Sequence, residues 1–374
     1  MTFLKGRRGM LAVAVMTIGL SGLPSSAAVS CTWTKDVTDP AISNAVLADI
    51  TAFSADSAIT AGAHFNATYN QYMGHIQEWD GTQWTQATLP APTGVHEQLN
   101  SVARIPGTSE AWAVGWSRQS GDQERAVILR RTAAGWESLP VPAVNGGLTA
   151  VTARSATDAW AVGWRGSNGW ILHWDGVEWK SSASPKLAVL TGVVAFGADR
   201  AWAVGWSESG SLDSTLSLRW NGTSWQRVAV PDVADHKNIL RDVTRIPGTL
   251  RMWAVGYRIK PNDPHAPAPV SKSLIVRWSG TAWTIVPNLS TGFTLESVEA
   301  VSPTLAWAFG MRRLSNGSLR PLILKWNGST WARVVEPGGY YWLEGSTTVP
   351  GSTRIWAAGS IDDEEVPVVI RGCG

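Results

Sequence analysis

The sequence is poor in cysteine, in net charge and in long apolar segments. Its 374 residues contain only two cysteines, and 31 lysines and arginines nearly balance 29 acidic residues. Without a strong basic excess, the chain has no electrostatic footprint for nucleic acid or an anionic membrane. After residue 28 no apolar stretch is long enough for a membrane-spanning helix, so we expect a soluble protein.

The short motifs of common catalytic and metal sites are also missing. The six histidines lack metal-ligand spacing, and there is no Cys-x-x-Cys pair. Neither a phosphate-binding glycine loop nor a Gly-x-Ser-x-Gly nucleophile motif occurs. The segment from Asp80 to Trp84 resembles the aspartate box of sialidase-like propellers but is one residue short, and a turn explains it. We therefore expect a non-catalytic protein without metal or cofactor.

The first 28 residues are predicted to be a secretory signal peptide. Lys5, Arg7 and Arg8 precede an apolar run from Met10 to Leu23, and small residues follow at 26–28. Cleavage would leave residues 29–374, with 28 basic residues against 29 acidic ones. The route stays open, because the arginine pair also fits twin-arginine export, and a lipid anchor on the first cysteine is a poorer alternative. We expect an extracellular location.

A repeated hexapeptide dominates the rest of the chain. The first clear copy, Ala-Trp-Ala-Val-Gly-Trp at 111–116, returns at 159–164 and 201–206. Degenerate copies lie at 252–257, 306–311 and 355–360, with a worn copy at 58–63. From Trp112 onward, the first tryptophans of successive copies are 48, 42, 51, 54 and 49 residues apart. Such variable spacing around a constant motif indicates structural repeats with loops of different length.

Each repeat predicts four antiparallel strands. A Leu-x-x-Val pattern, such as Leu99 to Val102, precedes the hexapeptide, and a later run ends in Trp, an Asp-Gly or Asn-Gly turn, and a second Trp, as in Trp220 to Trp225. Asp-Gly and Asn-Gly predict tight hairpin turns with positive φ at both central residues. Four strands repeated about an axis form a propeller blade. Within the hexapeptide, large residues share one face and small residues the other, so one blade can nest on the next.

Seven hexapeptides predict seven blades, but the last repeat is one strand short. It ends at Gly374, whereas the segment 31–35 offers a spare strand in which Trp33 matches Trp84 and Trp225. We therefore expect an all-β, seven-bladed β-propeller of four-stranded blades, closed by the N-terminal strand. Cys31 and Cys373 would then form a disulfide. A linear solenoid is the alternative, which the terminal cysteines disfavour.

Function is expected on the propeller face where the second strands end, because loops on a rigid scaffold commonly carry binding residues. Aromatic rings there can pack on the apolar faces of sugars, although each ring could instead be buried beneath the loops. The candidate ligand-binding residues are Trp116, Trp164, Trp206, Tyr257, Tyr340, Tyr341, Trp342 and His96.

Three functions fit these features. The first is a lectin that binds carbohydrate or a cell surface, suggested by the aromatic face. The second is a scaffold that binds another secreted protein. The third is a glycan-active hydrolase or lyase, which would depend on an acidic residue such as Asp49, Asp242 or Glu296 near the inner strands.

The Ala-Trp-Ala-Val-Gly repeats and Trp-Asn-Gly-x-x-Trp turns resemble the tryptophan-rich propellers of secreted actinobacterial proteins, related to BNR-like and photosystem-assembly-factor propellers. Among these, the signal, the seven blades and the terminal cysteines look like the UmbA-type lectin subunits of umbrella toxin particles. This resemblance implies a role in interbacterial competition within a toxin complex. It also implies two protein partners, a small secreted adaptor and a larger toxin subunit.

Overall fold

All regular structure in the described part of the chain is β-strand. The computed structural model describes residues 33–38, 44–92, 94–119, 121, 123–142, 144–210, 212–261, 271–287, 293–314, 318–339, 341–361 and 366–372. These ranges contain no helix that could cross a membrane. The predicted signal peptide and both cysteines, and with them the predicted disulfide, lie outside the described residues.

The strands form seven four-stranded antiparallel sheets within the described ranges. Six sheets run from the innermost to the outermost strand in chain order. The first three are β2 (Ala45–Ser54), β3 (Ser57–Asn66), β4 (Gln71–Trp79) and β5 (Trp84–Gln86); β6 (His96–Arg104), β7 (Ala111–Arg118), β8 (Glu124–Thr132) and β9 (Gly135–Ser138); and β10 (Gly146–Ser155), β11 (Asp158–Arg165), β12 (Asn168–Trp174) and β13 (Trp179–Ser182).

The next three are β14 (Ala188–Gly197), β15 (Arg200–Ser209), β16 (Leu212–Trp220) and β17 (Trp225–Arg227); β18 (Lys237–Arg245), β19 (Met252–Ile259), β20 (Ser271–Trp278) and β21 (Trp283–Ile285); and β22 (Phe293–Ser302), β23 (Leu305–Arg313), β24 (Leu319–Trp326) and β25 (Trp331–Arg333). The seventh sheet joins β26 (Tyr341–Thr348), β27 (Ile355–Ile361) and β28 (Val366–Gly372) to β1 (Thr34–Val37). The protein is a seven-bladed β-propeller.

The N-terminal strand closes the propeller, as the sequence predicts. Thr34 pairs with Arg371, and Lys35 pairs with Ile370, so β1 is the outermost strand of blade seven. The Trp33 side chain packs edge-on against Trp307 of blade six, with ring centroids 5.3 Å apart. In blade six, Trp331 meets Trp253 of blade five in the same way at 5.2 Å. Trp33 therefore occupies the position of the second hairpin tryptophan.

Neighbouring blades pack by setting large residues against small ones. Trp112 and Val114 of β7 belong to the core between blades two and three, where they meet Ala159 and Ala161. The alanines at 111 and 113 turn the other way, into the core between blades one and two. The predicted nesting of the two hexapeptide faces is confirmed. Glycine at the fifth hexapeptide position is required for a different reason, because a Cβ on Gly115 would collide with the backbone of β6.

Tryptophan triads join the blades near their outer edges. Trp112 contacts Trp174 and Trp179 of the next blade, with centroids 5.0 and 5.1 Å apart. Tilted and edge-on contacts of this kind add about 0.5–1.5 kcal/mol beyond simple burial. The equivalent triads are Trp160–Trp220–Trp225, Trp202–Trp278–Trp283, Trp253–Trp326–Trp331 and Trp356–Trp79–Trp84.

The Asp-Gly and Asn-Gly turns lack the expected positive φ at both turn residues. Trp79 pairs with Trp84, so four residues form the loop. Only the glycine has positive φ, 97° at Gly81, whereas Asp80 stays in the ordinary range. The Asp80 carboxylate instead accepts hydrogen bonds from the backbone N–H groups of Thr82 and Gln83, both at 2.8 Å. A side chain that caps its own turn replaces the second positive φ.

Candidate binding channel

The seven innermost strands surround a central channel of about 670 Å³. This volume lies within the range of roughly 300–1,000 Å³ found for small-ligand pockets. In each inner strand the register shifts just after the leucine of the Leu-x-x-Val pattern, as between Leu47 and Asp49. A β-bulge re-aims the following side chains. Two belts of residues follow these leucines.

The first belt comprises the residues directly after the leucines: Ala48, Asn100, Thr149, Thr191, Arg241, Glu296 and Glu344. Three of its polar members hydrogen-bond to the next blade. Asn100 donates to the carbonyl of Leu148, Thr149 to that of Leu190, and Thr191 to that of Leu240, each at 2.7 Å. Arg241 makes the next link between blades through an ion pair, in which its Nε lies 2.6 Å from Glu296 Oε2. These four contacts of the belt therefore link successive blades from blade two to blade six.

The second belt lies one residue further along each strand: Asp49, Ser101, Ala150, Gly192, Asp242, Ser297 and Gly345. Asp49 Oδ2 accepts hydrogen bonds from Ser101 Oγ at 2.8 Å and from the Val102 N–H at 3.0 Å. Its Oδ1 accepts the N–H of Ile50 at 2.8 Å. Asp49 thus fastens blade one to blade two.

Asp242 repeats this arrangement four blades away. Its Oδ2 accepts from Ser297 Oγ at 3.2 Å and from the Val298 N–H at 2.8 Å. A glycine on the preceding blade makes room for each aspartate, since a Cβ on Gly345 would lie 2.6 Å from Asp49 Oδ1 and one on Gly192 would lie 2.9 Å from Asp242 Cα. The order Gly, Asp, Ser therefore occurs twice around the channel.

Burial raises the pKa of several channel carboxyl groups. It raises the pKa of Asp49 to about 7, although the hydrogen bonds from Val102, Ser101 and Ile50 oppose the shift. The pKa of Glu344 is also raised to about 7, by burial and then by the charge of Glu296. Desolvation disfavours a charged carboxylate, and a neighbouring carboxylate adds to the effect.

Among the described residues, the Glu299 carboxylate has few contacts that would offset its removal from water. It lies three residues beyond Glu296 on β22, and its pKa is raised well above the ordinary value by burial and by the charges of Asp242 and Asp49. Arg104 partly offsets that shift from across the channel. No residue among those described here hydrogen-bonds to or forms a close ion pair with the Glu299 side chain.

Two of the predicted aromatic residues, Trp116 and Trp164, line the channel. They lie on either side of Gly147, where a Cβ would collide with the edge of the Trp164 ring and lie 2.7 Å from Trp116 Cβ. Trp164 Nε1 donates to Glu124 at 3.2 Å, and the Arg118 guanidinium lies 5.6 Å from the centre of the Trp116 ring. These contacts hold both indoles at one end of the channel, which we call the entrance.

The other candidate residues are more dispersed. Trp206 is half-buried outside the channel wall, and Tyr257 is half-buried near the charges of Arg241 and Glu296. Trp342 donates its indole N–H to Glu344 at 3.1 Å. His96 lies at the start of β6, where its Nδ1 accepts the Tyr72 N–H at 3.1 Å.

Tyr341 does not belong to the candidate surface. It is fully buried in the core between blades six and seven, and its hydroxyl donates to the Pro337 carbonyl at 2.9 Å. As the first residue of β26, its side chain points between the blades rather than outward. Tyr340 lies outside the described residues.

Sequence reasoning missed Glu299 and Glu344. Asp49, Asp242 and Glu296 were identified near the inner strands, whereas Glu299 and Glu344 are recognisable only when all seven repeats are aligned on the leucine. That alignment places Glu344 beside Glu296 in the first belt and puts Glu299 two positions beyond the second belt. Within the ranges described, no group of three or more His, Cys, Asp or Glu residues could hold a metal ion.

Comparison with known proteins identifies the fold and not a family. No protein family and no curated protein matches the chain. A structure described as YCF48 bound to D1 peptide has 16% identity and a TM-score of 0.60, with 91% of this chain and 95% of that chain covered. The RRP9 WD40 repeats have 10% identity and a TM-score of 0.58, covering 91% and 100%. The WD40 propeller domain of Doa1 has 13% identity and a TM-score of 0.52, covering 89% and 96%.

Proposed function

We propose that this protein is a non-catalytic interaction scaffold that binds a segment of another protein at the channel entrance. The observation that carries the proposal is that Trp116 and Trp164 lie at one end of a polar channel whose wall is built from β-strands. Aromatic residues at a preformed concave site supply contact area at low conformational cost. The similar structures support this choice, because they include WD40 propellers and a propeller with a bound peptide.

A photo-crosslinking experiment tests the position of the site. A benzophenone amino acid replaces Gln98, which lines the channel, or Val177, which is 82% exposed in the β12–β13 turn on the opposite propeller face. Each variant is incubated with secreted proteins of the source organism and illuminated. We expect a discrete protein adduct from position 98 only. Equal adducts at both positions, or none at position 98, would refute the proposal.

The lectin reading of the sequence remains a competing outcome of this experiment. No comparison supports carbohydrate binding, and burial of Tyr341 removes part of the aromatic surface on which that prediction rested. If soluble glycans abolished the adduct at position 98, the lectin function would replace the scaffold. Secretion and membership of a toxin particle stay proposals from the sequence, to be tested by locating the protein in culture medium and identifying the crosslinked partner.

A further inference from the structure

The channel wall contains more acidic than basic side chains. Its ionisable lining consists of the carboxylates of Asp49, Asp242, Glu296, Glu299 and Glu344 and the guanidinium groups of Arg104 and Arg241. They come from five different inner strands, so no local segment accounts for the excess. Arg241 is already paired with Glu296.

The channel carboxyl groups differ in how many hydrogen bonds they accept from the described residues. Asp49 and Asp242 each accept three hydrogen bonds from their own and the next blade. From the part of the chain that the structure describes, Glu344 receives one hydrogen bond, from the indole N–H of Trp342. Glu299, which is half-buried in the channel wall, receives none from the described residues.

A half-buried carboxylate without a partner is less favourable in the folded protein than a paired one. Removal from water costs more than distant charges return, which is why buried charges are normally paired. An isosteric glutamine at position 299 would avoid that cost. A glutamate at this position has a physical explanation if a cationic group enters the channel and becomes the missing partner of Glu299. An ion pair that is partly removed from water is stronger than one in water.

The entrance also suits a cation carried on an apolar stem. The faces of Trp rings attract guanidinium and ammonium groups. Arg118 already lies over the Trp116 ring. Lysine and arginine side chains combine a terminal charge with a methylene stem that can lie along aromatic surface.

We propose that the channel receives an arginine or lysine side chain from the bound protein segment, with the cation among the carboxyl groups of the channel wall, which include Glu299 and Glu344, and the stem directed toward Trp116 and Trp164 at the entrance. This inference rests on the proposed function and specifies the chemistry of the partner. It requires an extended or looped segment that presents one basic residue at the entrance.

Four acetylated and amidated pentapeptides test the proposal. They are Gly-Gly-X-Gly-Gly with arginine, lysine, citrulline or glutamate at X, titrated calorimetrically at pH 8 and low ionic strength. We expect the arginine and lysine peptides to bind at least about tenfold more tightly than citrulline, which has the shape of arginine without its charge. Added salt weakens this preference.

Matched glutamine variants separate binding from folding. Glu299→Gln is expected to reduce arginine-peptide affinity about tenfold while raising the thermal midpoint, because it removes an unpaired carboxylate. Glu178→Gln makes the same change at an exposed turn on the opposite face and leaves affinity unchanged.

Three results would each overturn the proposal that a cationic side chain occupies the channel. They are equal affinity for the arginine and citrulline peptides, no arginine-dependent binding up to about 10 mM, and full affinity in Glu299→Gln. The crosslink at position 98 would still report on the scaffold function. A protein adduct without arginine preference therefore rejects this inference alone, and loss of both results rejects the binding site.

Discussion

Ser101 on blade two donates a hydrogen bond to the carboxylate of Asp49 on blade one, with 2.8 Å between Ser101 Oγ and Asp49 Oδ2. The same hydroxyl accepts the N–H of Val151 on blade three at 3.3 Å. One serine thus connects three consecutive blades at the channel wall. Its counterpart Ser297 donates to Asp242 and shares a hydrogen bond with Ser346 on blade seven at 2.7 Å.

Ser101→Ala should destabilise the propeller by about 1–3 kcal/mol, because it removes a donor to a buried carboxylate and leaves the Val151 N–H without its acceptor. Urea unfolding followed by tryptophan fluorescence measures the change. Ser138→Ala, at an exposed position of β9, is the control and should change stability by less than about 0.5 kcal/mol. Equal effects of the two variants would contradict the bridging role of Ser101.

Stability should fall as the pH rises from 6.5 to 8.5. The pKa of Asp49 and that of Glu344 are raised to about 7 in the folded protein, so the folded state holds protons that the unfolded chain has released. Each contribution is complete below the unfolded value of about 4 and is lost as pH passes through the folded value. Unfolding free energies across this window measure the effect.

Glu344→Gln identifies the source of that slope. We expect it to flatten the decline and to stabilise the protein at pH 8.5 by about 1–3 kcal/mol, since it removes a charge from the channel. The difference between variant and wild type cancels the contribution of His64 to the pH dependence of stability. Burial lowers the pKa of His64, so that contribution falls mainly at lower pH. A wild-type protein that is more stable at pH 8.5 than at pH 6.5 would disprove the assignment.

Trp33→Ala should loosen the closure of the propeller. The ring contacts Trp307 and Phe309, so its loss should cost about 3–5 kcal/mol and speed hydrogen exchange at Lys35 and Asp36 of β1. Trp225→Ala removes the equivalent ring from blade four, which is covalently continuous. It should leave exchange in β1 unchanged, and identical exchange in both variants would argue against a closing role for Trp33.

Gly147→Ala should displace the two entrance indoles. The added methyl would collide with the edge of the Trp164 ring, so the ring should move and the Trp164 indole N–H resonance should shift as its hydrogen bond to Glu124 breaks. We expect at least about tenfold weaker arginine-peptide binding. Gly338→Ala adds a methyl to open space and is the control. An unshifted resonance with full binding would show that the entrance tolerates the methyl group.

The architecture could be predicted because its signals are local and repeated. Alternation in the hexapeptide determines which residues face each neighbouring blade, and the missing strand of the last repeat predicts the role of Trp33. The turn geometry was mispredicted because four residues and a capping Asp or Asn side chain can close the same hairpin as two residues with positive φ.

The sequence by itself determined the repeat, the number of blades and the closing strand, since each depends on spacing along the chain. Only the tertiary structure decided which residues form the channel. Glu299 and Glu344 are 45 residues apart in sequence, and they line one channel because the blades converge on an axis. Burial of Tyr341 was likewise decided by the packing of blade six against blade seven, a contact between strands that no local pattern encodes.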